Sequence, residues 1–528
     1  MNRGYVVELA MSPRTTPLPR DIDELILLVL AKEAENESLK ARLANLERLI
    51  FGAKSEKLVV LAAEQGLLDL GDLVEVAMPE AANDDRSKEP PRVTTSKPAE
   101  RNIGALPAHL PRCEEVIEPE STACPCCGSK LHRIGETSSE ALDVVPAIVR
   151  VKKTIRPKYA CRACESAVVQ APAPSRVTTG GMASTALVAH VVTSKFAWHL
   201  PLHRQSQMFA AQGVKLDRGT LGFWVKRAAW WLKPLYERLL DFIRSQPKVF
   251  SDETRLPRLD PGRGRTKICQ LWGQAVDDRP WRGPAPPAAG WVFAESRGAD
   301  AIEAQLQTFS GILQVDGYIA YETLATRRRK TNGGEIQLAH CLAHARRKFV
   351  EVYQRTRSAA AMDVLTMIAE IYRVEAIVRG EDADRRLEAR GLHSAPIMAA
   401  LKEKLLATRA EISSQSSLAG ATDYTLARWN GLTAFLTDGR IEVDSNVIER
   451  SMKSVALTRK NALFAGNAEG GKTWAILSSL IETAKLNGLD PQAWLTDVLE
   501  KIVTGRVTND RLDELLPWRW KRAEAMAA

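Results

Sequence analysis

The stretch "KVFSDET" (residues 248–254) decides the fold of the C-terminal half, because it is a short β-rich run that stops at two acids. Two more strand candidates follow it, "KICQLWGQAVDD" (267–278) and "GWVFAES" (290–296), and then a helix, "ADAIEAQLQTF" (299–309). The periodicity next predicts a strand in "GILQVDGYIAY" (311–321) that stops at Asp316. A fifth strand then runs into a basic helix, in "IQLAHCLAHARRKFVEV" (336–352).

This element order, three antiparallel strands, a helix and two further strands, is that of a ribonuclease-H-like fold. The first and fourth strands are neighbours in that order, so we expect Asp252 and Asp316 to lie side by side at one edge of the sheet. Two adjacent carboxylates stay charged at low cost only when a cation lies between them. Oxygen ligands of this kind suit Mg²⁺ or Mn²⁺, and paired ions promote phosphodiester cleavage.

A third carboxylate is predicted in the helix "VDSNVIERSMKSVAL" (443–457). Helical spacing places Asn446, Glu449 and Lys453 on one flank, next to a buried apolar stripe. Asp444 is the alternative third acid, although it stands where an N-cap is expected. Spacing alone does not single out these acids, because carboxylates are common at strand ends and on exposed helix faces.

Residues 353–440 have helical patterning throughout, and they separate Asp316 from Glu449 by far more chain than one strand and one helix require. We therefore predict an all-helical insertion within the catalytic domain.

Two Cys-x-x-Cys pairs in the N-terminal half predict a zinc site. Cys124 and Cys127 form the first pair, and Cys161 and Cys164 form the second, after a strand-like segment. Four thiolates in paired knuckles suit tetrahedral Zn²⁺, and a site filled by protein ligands is structural. Cys126 could replace a neighbouring ligand. A redox role is the weaker alternative, because a thioredoxin-like pair opens a helix and does not occur twice.

Two further segments indicate assembly and DNA binding. Leucines spaced by three and four between residues 29 and 50 predict a short coiled coil, or else an amphipathic helix packed on its own domain. Residues 201–231 are typical of a helix-turn-helix, with Thr220 as the predicted N-cap. Arg218, Lys226 and Arg227 would then face DNA, although many helical pairs without a DNA role have the same pattern.

Composition points in the same direction. The formal net charge is +9, which favours a polyanionic partner such as nucleic acid. The sequence contains no apolar run long enough for a membrane span, and its first residues lack a signal-peptide core, so we expect a cytoplasmic protein.

The segment "GNAEGGKT" (466–473) matches the phosphate-binding loop of nucleotide triphosphatases, which makes an ATPase a competing hypothesis. That fold needs a strand before the loop and further strands after it, whereas a helix and a Trp-rich tail follow here. We instead expect a glycine-rich turn between a basic segment and a helix.

A non-catalytic zinc and helix-turn-helix regulator is the second competing hypothesis, and it leaves the strand-end acids without a role. For His340, Cys341 and His344, core or DNA-facing roles are favoured over a metal site.

Taken together, the motifs resemble the insertion-sequence-66-type transposases of bacteria. The resemblance covers nearly the whole chain from about residue 25, and it rests on several long segments. These are "LERLIFGAKSEKL" (46–58), the two cysteine pairs, "SKFAWHLPLHRQSQMFAAQG" (194–213), "SDET", "QVDGYIAYETL", "CLAHARRKF", the segment from "DSNVIERSMKSVALTRKN" to "LDPQAWL", and "LLPWRW". "SMKSVALTRKN" lacks the Pro and Gly that are usual for the family, but no acid is missing.

The resemblance implies a DDE transposase, with Asp252, Asp316 and Glu449 as the catalytic, Mg²⁺-binding acids. Its partners would be the terminal inverted repeats and target DNA, with short companion proteins, and the coiled coil would support a homo-oligomer. The basic residues expected to contact DNA on the catalytic side are Arg346, Arg347, Lys453, Arg459 and Lys460.

The expected fold class is multidomain α+β. The predicted units are a flexible N-terminus (1–22), a coiled coil (23–58), a linker (59–105), a zinc-ribbon-like module (106–176), a helix-turn-helix-like region (177–245), a ribonuclease-H-like domain in two parts (246–352 and 441–500) around the helical insertion (353–440), and a C-terminal tail (501–528).

Overall fold

The structure, a computed structural model, describes residues 149–160, 168–260, 262–331 and 334–520. Within these ranges, no helix combines the length and the apolar character that a membrane span needs.

Four predictions fall on parts of the chain outside the described residues. Three of them are the flexible N-terminus (1–22), the coiled coil (23–58) and the linker (59–105). The fourth is the zinc site, because all four of its predicted ligands, Cys124, Cys127, Cys161 and Cys164, lie outside the described residues. The structure does not test these predictions.

The first described elements are a short antiparallel pair and three helices. The pair is β1 (Lys158–Ala160) with β2 (Val168–Gln170). The helices are α1 (Thr185–Phe196), α2 (Leu202–Ala211) and α3 (Arg218–Arg244).

Helix α3 begins earlier than the sequence suggested, and Thr220 is not its N-cap. The N-cap is Asp217, whose carboxylate accepts the backbone N–H groups of Gly219 at 2.6 Å and Thr220 at 3.0 Å. A carboxylate in this position satisfies amides that the first helical turn leaves unpaired, so the cap lies three residues before the predicted one. The predicted arrangement of two helices joined by a glycine-containing turn is present, since Gly213 lies between α2 and α3 with a φ of 79°.

The described residues contain a five-stranded sheet, and helices connect several of its strands along the chain. The elements are β3 (Lys248–Asp260), β4 (Arg265–Val276), β5 (Ala288–Ala294), α4 (Ala299–Gln305), β6 (Gly311–Val315), α5 (Ile319–Thr331), β7 (Ile336–His340) and α6 (Leu342–Thr356). The strand order is β5-β4-β3-β6-β7. Strands β3, β4 and β5 are antiparallel, while β6 runs parallel to both β3 and β7. The prediction that the first and fourth strands of this sheet are neighbours is confirmed.

The end of β3 differs from the prediction. Strand β3 continues to Asp260, because β4 pairs with it along its whole outer half, from Phe250↔Ala275 to Asp260↔Arg265. The outer halves of β3 and β4 thus form a two-stranded arm. Strand β6 ends at Val315, one residue before Asp316, as predicted, and residues 319–321 begin α5.

Residues 353–440, all of them described, contain no strand. Their helices are α7 (Ala359–Val378), α8 (Ala383–Ala389), α9 (Ala395–Glu411), α10 (Ser417–Ala427) and α11 (Trp429–Leu432). They share an apolar core with α6, which follows β7 directly. This helical unit therefore packs beside the strand pair β6–β7.

The chain then returns to the sheet in three helices, α12 (Asn446–Ala462), α13 (Ala468–Leu486) and α14 (Pro491–Val503). Helix α12 packs on β3 and β4, and α13 packs on β5 and α3. Ile448 and Val455 of α12 are fully buried, as the predicted apolar stripe requires.

The segment at 466–473 lacks the architecture of a nucleotide-binding loop. A helix, α12, precedes it instead of a strand, and α13 already begins at Ala468, so Gly470 and Gly471 belong to its first turns rather than to the expected glycine-rich turn. A side chain at Gly471 would collide with the Phe293 ring of β5, and one at Gly470 with the carbonyl of Ala465. The glycines thus permit close packing of a helix on a sheet.

Candidate active site

The parallel pairing of β3 and β6 brings two predicted acids to the same level of the sheet. Phe250 pairs with Gln314, and two residues further along each strand the chain reaches Asp252 and Asp316. Both acids are half-buried. The Asp316 carboxylate accepts the N–H of Tyr318 at 2.9 Å, which fixes its direction as the chain leaves the strand.

Negative charge is concentrated around Asp252. Burial raises the pKa of its carboxyl well above the usual value, and the carboxylates of Asp316, Glu253 and Glu449 raise that pKa further. Because Glu449 is among these neighbours, the structure brings all three predicted acids together: two from adjacent strands and one from α12.

Glu449 projects from the first turn of α12, which packs on β3. Its carboxylate lies 3.4 Å from the Ser445 hydroxyl and 3.8 Å from His344 Nδ1. The rival acid, Asp444, is buried and accepts the N–H of Asn446 at 3.1 Å. Asp444 thus helps to cap its own helix, whereas Glu449 is close enough to Asp252 to raise the pKa of that carboxyl.

Glu253 is a fourth acid at this edge, and it differs from the others in having a cationic partner. Arg297 lies 2.5 Å from its carboxylate, and the Tyr321 hydroxyl donates to it at 3.3 Å. The Arg297 guanidinium also stacks on the ring of Tyr318, 3.9 Å from its centroid. The sequence places Glu253 beside Asp252 but does not reveal Arg297, which is 44 residues away.

The other three acids have no such direct cationic partner. Among the described residues, no Lys or Arg nitrogen forms a salt bridge to Asp252, Asp316 or Glu449; the ion pairs in this region involve Glu253 and Glu442 instead. Three carboxylates therefore lie near one another without a salt-bridged Lys or Arg. Among the described residues, the ligand atoms that lie within 4.8 Å of one another are those of Cys341, His344 and Glu449 rather than those of the three acids.

A histidine and a cysteine lie against this group, although the sequence favoured core or DNA-facing roles for both. The ligand atoms of Cys341, His344 and Glu449 lie within 4.8 Å of one another, so they could hold a metal ion. The Cys341 Sγ accepts the N–H of Ser445 at 3.3 Å, and burial raises the pKa of this thiol to about 12. His340 has a structural contact, since its Nδ1 lies 3.1 Å from the Asp316 carbonyl oxygen.

Four of the predicted DNA-contacting cations are exposed: Arg218, Lys226, Lys453 and Lys460. Arg227 is half-buried and stacks on the exposed Trp230, 4.5 Å from its ring.

The remaining three predicted cations are held by the fold. Burial lowers the pKa of Arg347, while attraction to Glu449 and Asp252 opposes this shift, so Arg347 lies in the field of the acids. Burial also lowers the pKa of Arg346, which is close to Tyr372 of α7. Arg459 donates to the Thr254 hydroxyl at 3.0 Å and to the Arg255 carbonyl, which ties α12 to β3.

Comparison with known families places this site in context. The model described as "Transposase IS66 family" matches residues 180–473, a range that contains all three acids. Residues 479–518 match the "IS66 C-terminal element", and residues 38–115 match "Transposase C of IS166 homeodomain".

A further match concerns the cysteine pairs. Residues 121–165 match the "zinc-finger binding domain of transposase IS66". This range includes Cys124, Cys127, Cys161 and Cys164. The match supports a zinc-binding role for the segment, although the assignment of the metal to these four thiols stays a prediction.

Similar proteins occur in Sinorhizobium fredii (strain NBRC 101917 / NGR234). "Uncharacterized protein y4jD" is 62% identical over 514 residues, which cover 97% of this chain and 98% of that protein. "Uncharacterized protein y4qI" is 41% identical over 96% of this chain and 98% of its own length. Because the family model spans more than half of the residues and these relatives align almost end to end, the chain belongs to the IS66 transposase family.

Proposed function

We propose that this protein is a DDE-type DNA transposase, which binds the ends of its mobile element, cleaves their 3′ ends and joins them to target DNA. The observation that carries the proposal is the convergence of Asp252, Asp316 and Glu449 without a Lys or Arg partner among the described residues. Structural acids in protein interiors are normally paired, so a group of acids without a salt-bridged Lys or Arg supports the binding of a cation.

The chemistry of these donors fits Mg²⁺ or Mn²⁺, which take carboxylate oxygens as ligands. Asp252, Asp316 and Glu449 would hold the ions. When bound, divalent ions activate the attacking oxygen and stabilise the leaving oxygen of a phosphodiester.

Two displacements account for the reaction. In the first, a water oxygen bonds to phosphorus as the bond to the bridging 3′ oxygen breaks, which leaves a 3′-hydroxyl and a 5′-phosphate. In the second, this hydroxyl attacks a target phosphodiester and releases a new 3′-hydroxyl. Neither step requires a covalent enzyme intermediate, so the carboxylates need only hold the reacting groups in line.

A ribonuclease-H-like fold for residues 246–352 and 441–500 is part of the proposal. It is supported by the strand order β5-β4-β3-β6-β7, which places the acids of β3 and β6 together. Helix α12 then brings the third acid to the same edge from beyond the helical insertion.

DNA is the substrate, and several surfaces of the protein have the charge to bind it. We assign phosphate contacts to Arg218, Lys226 and Arg227 on the α2–α3 unit, and to Arg346, Arg347, Lys453, Arg459 and Lys460 near the acids. The protein would also form a homo-oligomer through residues 23–58, act together with short companion proteins and be located in the cytoplasm.

The zinc-finger segment would add to the DNA-binding surface. Its Zn²⁺ would be structural, because four thiolates leave no coordination position open for a substrate. The ligands that we assign to it are Cys124, Cys127, Cys161 and Cys164.

The proposal is tested with purified full-length protein and labelled duplexes from the DNA that flanks the coding region. With Mg²⁺, the protein should produce 3′-hydroxyl ends at an inverted repeat and then join them to a plasmid target. Sequence-specific binding without any cleavage, under conditions where the zinc and the fold are intact, would favour the non-catalytic regulator instead.

Replacement of Lys472 separates the transposase from the ATPase hypothesis. Lys472 is exposed and pairs with Glu469 at 2.8 Å on the surface of α13, so Lys472→Ala should leave the Mg²⁺-dependent cleavage rate within about twofold of wild type. Steady-state cleavage and ATP hydrolysis are measured together on the same preparation. ATP turnover that depends on Lys472 would revive the ATPase hypothesis.

A further inference from the structure

The loop that joins α12 to α13 contains a strained turn with a large apolar side chain at its centre. Leu463 has φ 64° and ψ −47°, and the N–H of Phe464 donates to the carbonyl of Ala462 at 2.7 Å. A turn closed between residues two apart, with positive φ at the centre, is a rare and strained form of γ-turn. Among the described non-glycine residues with positive φ, Leu463 is the apolar one; the others are two arginines and a histidine.

Packing does not explain this leucine, because its side chain points into solvent. Leu463 is 69% exposed and the adjacent Phe464 is 38% exposed. A glycine would adopt the same backbone without strain and would remove the exposed apolar surface. The backbone conformation of Leu463 and the exposure of its apolar side chain are both energetically unfavourable. This combination indicates that the residue has a function other than the folding of the chain.

The turn is held rigidly against the arm formed by β3 and β4. The N–H of Ala465 donates to the Pro257 carbonyl at 2.9 Å, and the N–H of Leu259 donates to the Gly466 carbonyl at 2.7 Å. On the helix side, the N–H of Leu463 donates to the Arg459 carbonyl at 2.8 Å. The strained geometry is therefore fixed from both sides before any partner binds.

The surroundings of the turn are cationic, which identifies the class of partner. The arm segment 254–268 contains five Arg or Lys residues and a single acid, Asp260. That acid is paired with Arg258 and Arg263, and a second acid, Glu295 just beyond β5, is paired with Arg258 and Lys267. Arg255 on the arm and Lys460 in the last turn of α12 are exposed. A rigid apolar side chain surrounded by cations is complementary to duplex DNA, because the phosphates attract the cations and the stacked bases accept the apolar group.

We propose that Leu463, supported by Phe464, is a wedge that enters duplex DNA between two base pairs and unstacks them. This inference rests on the proposed function and adds a defined contact to it. Side chains of this type, inserted between base steps, kink DNA and let the protein cover more of it. The wedge would bend the element end as that end reaches the acids.

The position of the wedge follows from helix geometry. Glu449 lies in the first turn of α12 and Leu463 lies just beyond its last residue, so the two are about 20 Å apart along the helix axis. For a duplex that runs along α12, at about 3.4 Å per base pair, this corresponds to about six base pairs from the cleaved bond.

The test uses full-length protein and flanking-DNA duplexes in which 2-aminopurine replaces single bases at successive positions. Its fluorescence rises when a base unstacks. Wild type should give a several-fold rise about six base pairs from the cut, and Leu463→Ala should lose that rise while still binding the duplex. Leu392→Ala is the matched control, since Leu392 is also 69% exposed but belongs to the helical insertion. Leu463→Gly should lose the rise and also melt at a higher temperature, because the strain is removed.

The outcomes separate the two claims. Cleavage by wild type without a fluorescence rise at any position, or an undiminished rise in Leu463→Ala, would overturn the wedge and leave the proposed function standing. Failure of wild type to bind or cut any flanking duplex would overturn both. A change in oligomeric state in Leu463→Ala, with unstacking unchanged, would assign the turn to a contact between protein subunits.

Discussion

Asp252→Asn should lower the rate of DNA cleavage by at least about 10³-fold while DNA binding stays close to wild type. The expected loss is large because a ligand that holds a catalytic cation contributes several kcal/mol to the transition state. Binding depends instead on Lys and Arg contacts with phosphates, which this substitution leaves in place. Cleavage of a labelled duplex and fluorescence anisotropy of the same duplex measure the two quantities separately.

The same variant should be more stable than wild type when no divalent ion is present. Burial and three neighbouring carboxylates raise the pKa of Asp252, which means that its charged form is unfavourable in the folded state. A neutral side chain of the same shape removes that repulsion, so the melting temperature of metal-free protein should rise. Added Mg²⁺ should stabilise wild type more than the variant.

Asp260→Asn is the matched control, because Asp260 is the last residue of the same strand and is paired with Arg258 at 3.8 Å. Its cleavage rate should stay within a fewfold of wild type. If Asp252→Asn cuts DNA at the wild-type rate, Asp252 does not belong to the catalytic centre.

Arg390→Ala should destabilise the protein by about 3–5 kcal/mol, because it breaks a buried ion network. The Arg390 side chain is fully buried, and its Nε and Nη2 each donate to the Glu375 carboxylate at 2.7 Å. Its Nη1 donates to the Phe435 carbonyl at 3.1 Å. Removal of the guanidinium would leave the Glu375 charge buried beside Arg386 alone, which lies 3.5 Å away.

The damage should extend to the catalytic strand. Arg386 also pairs with Glu442 at 2.8 Å, and the backbone of Glu442 exchanges two hydrogen bonds of 2.9 Å with the side chain of Gln314 on β6. Strand β6 ends one residue before Asp316. The helical insertion is thus linked to the active site. Arg390→Ala should therefore lower both the stability measured by urea denaturation and the cleavage rate.

Arg385→Ala supplies the comparison for this prediction. Arg385 lies on α8, the helix that ends directly before Arg390, but its side chain is 70% exposed and its ion pairs with Glu381 and Asp382 lie at the surface. Its stability should stay within about 0.5 kcal/mol of wild type. Equal stability losses in the two variants would show that the buried ion network contributes no more to the free energy of unfolding than the surface ion pairs do.

Strand order and the meeting of acids could be predicted from the sequence because both depend on local patterns. In each of the runs at 248–254 and 311–315 a β-rich segment leads directly to an acid, and parallel pairing of the two strands brings these acids to the same level of the sheet. Glu449 could be placed because helical periodicity separates its flank from the apolar stripe of Ile448 and Val455. The family resemblance then distinguished these acids from many others.

Features that depend on distant partners could not be predicted in this way. The pairing of Glu253 with Arg297 and the approach of His344 to Glu449 join residues far apart in the chain, and no local pattern encodes them. The outer half of β3 contains Pro257, which argues against a strand locally, but pairing with β4 overrides that preference. The N-cap of α3 was misplaced because Asp217 and Thr220 are both good caps, and only the observed hydrogen bonds choose between them.

The central claim is that Asp252, Asp316 and Glu449 bind the divalent ions that drive DNA cleavage. Its most direct test is the cleavage rate of Asp316→Cys in Mg²⁺ and in Mn²⁺, measured on the same duplex. A thiolate is a poor ligand for Mg²⁺ and a better one for Mn²⁺. We expect cleavage by Asp316→Cys to be lost in Mg²⁺ and at least partly restored in Mn²⁺, whereas wild type cuts in both. Wild-type cleavage by this variant in Mg²⁺, or cleavage by either protein after all divalent ions are removed, would contradict it.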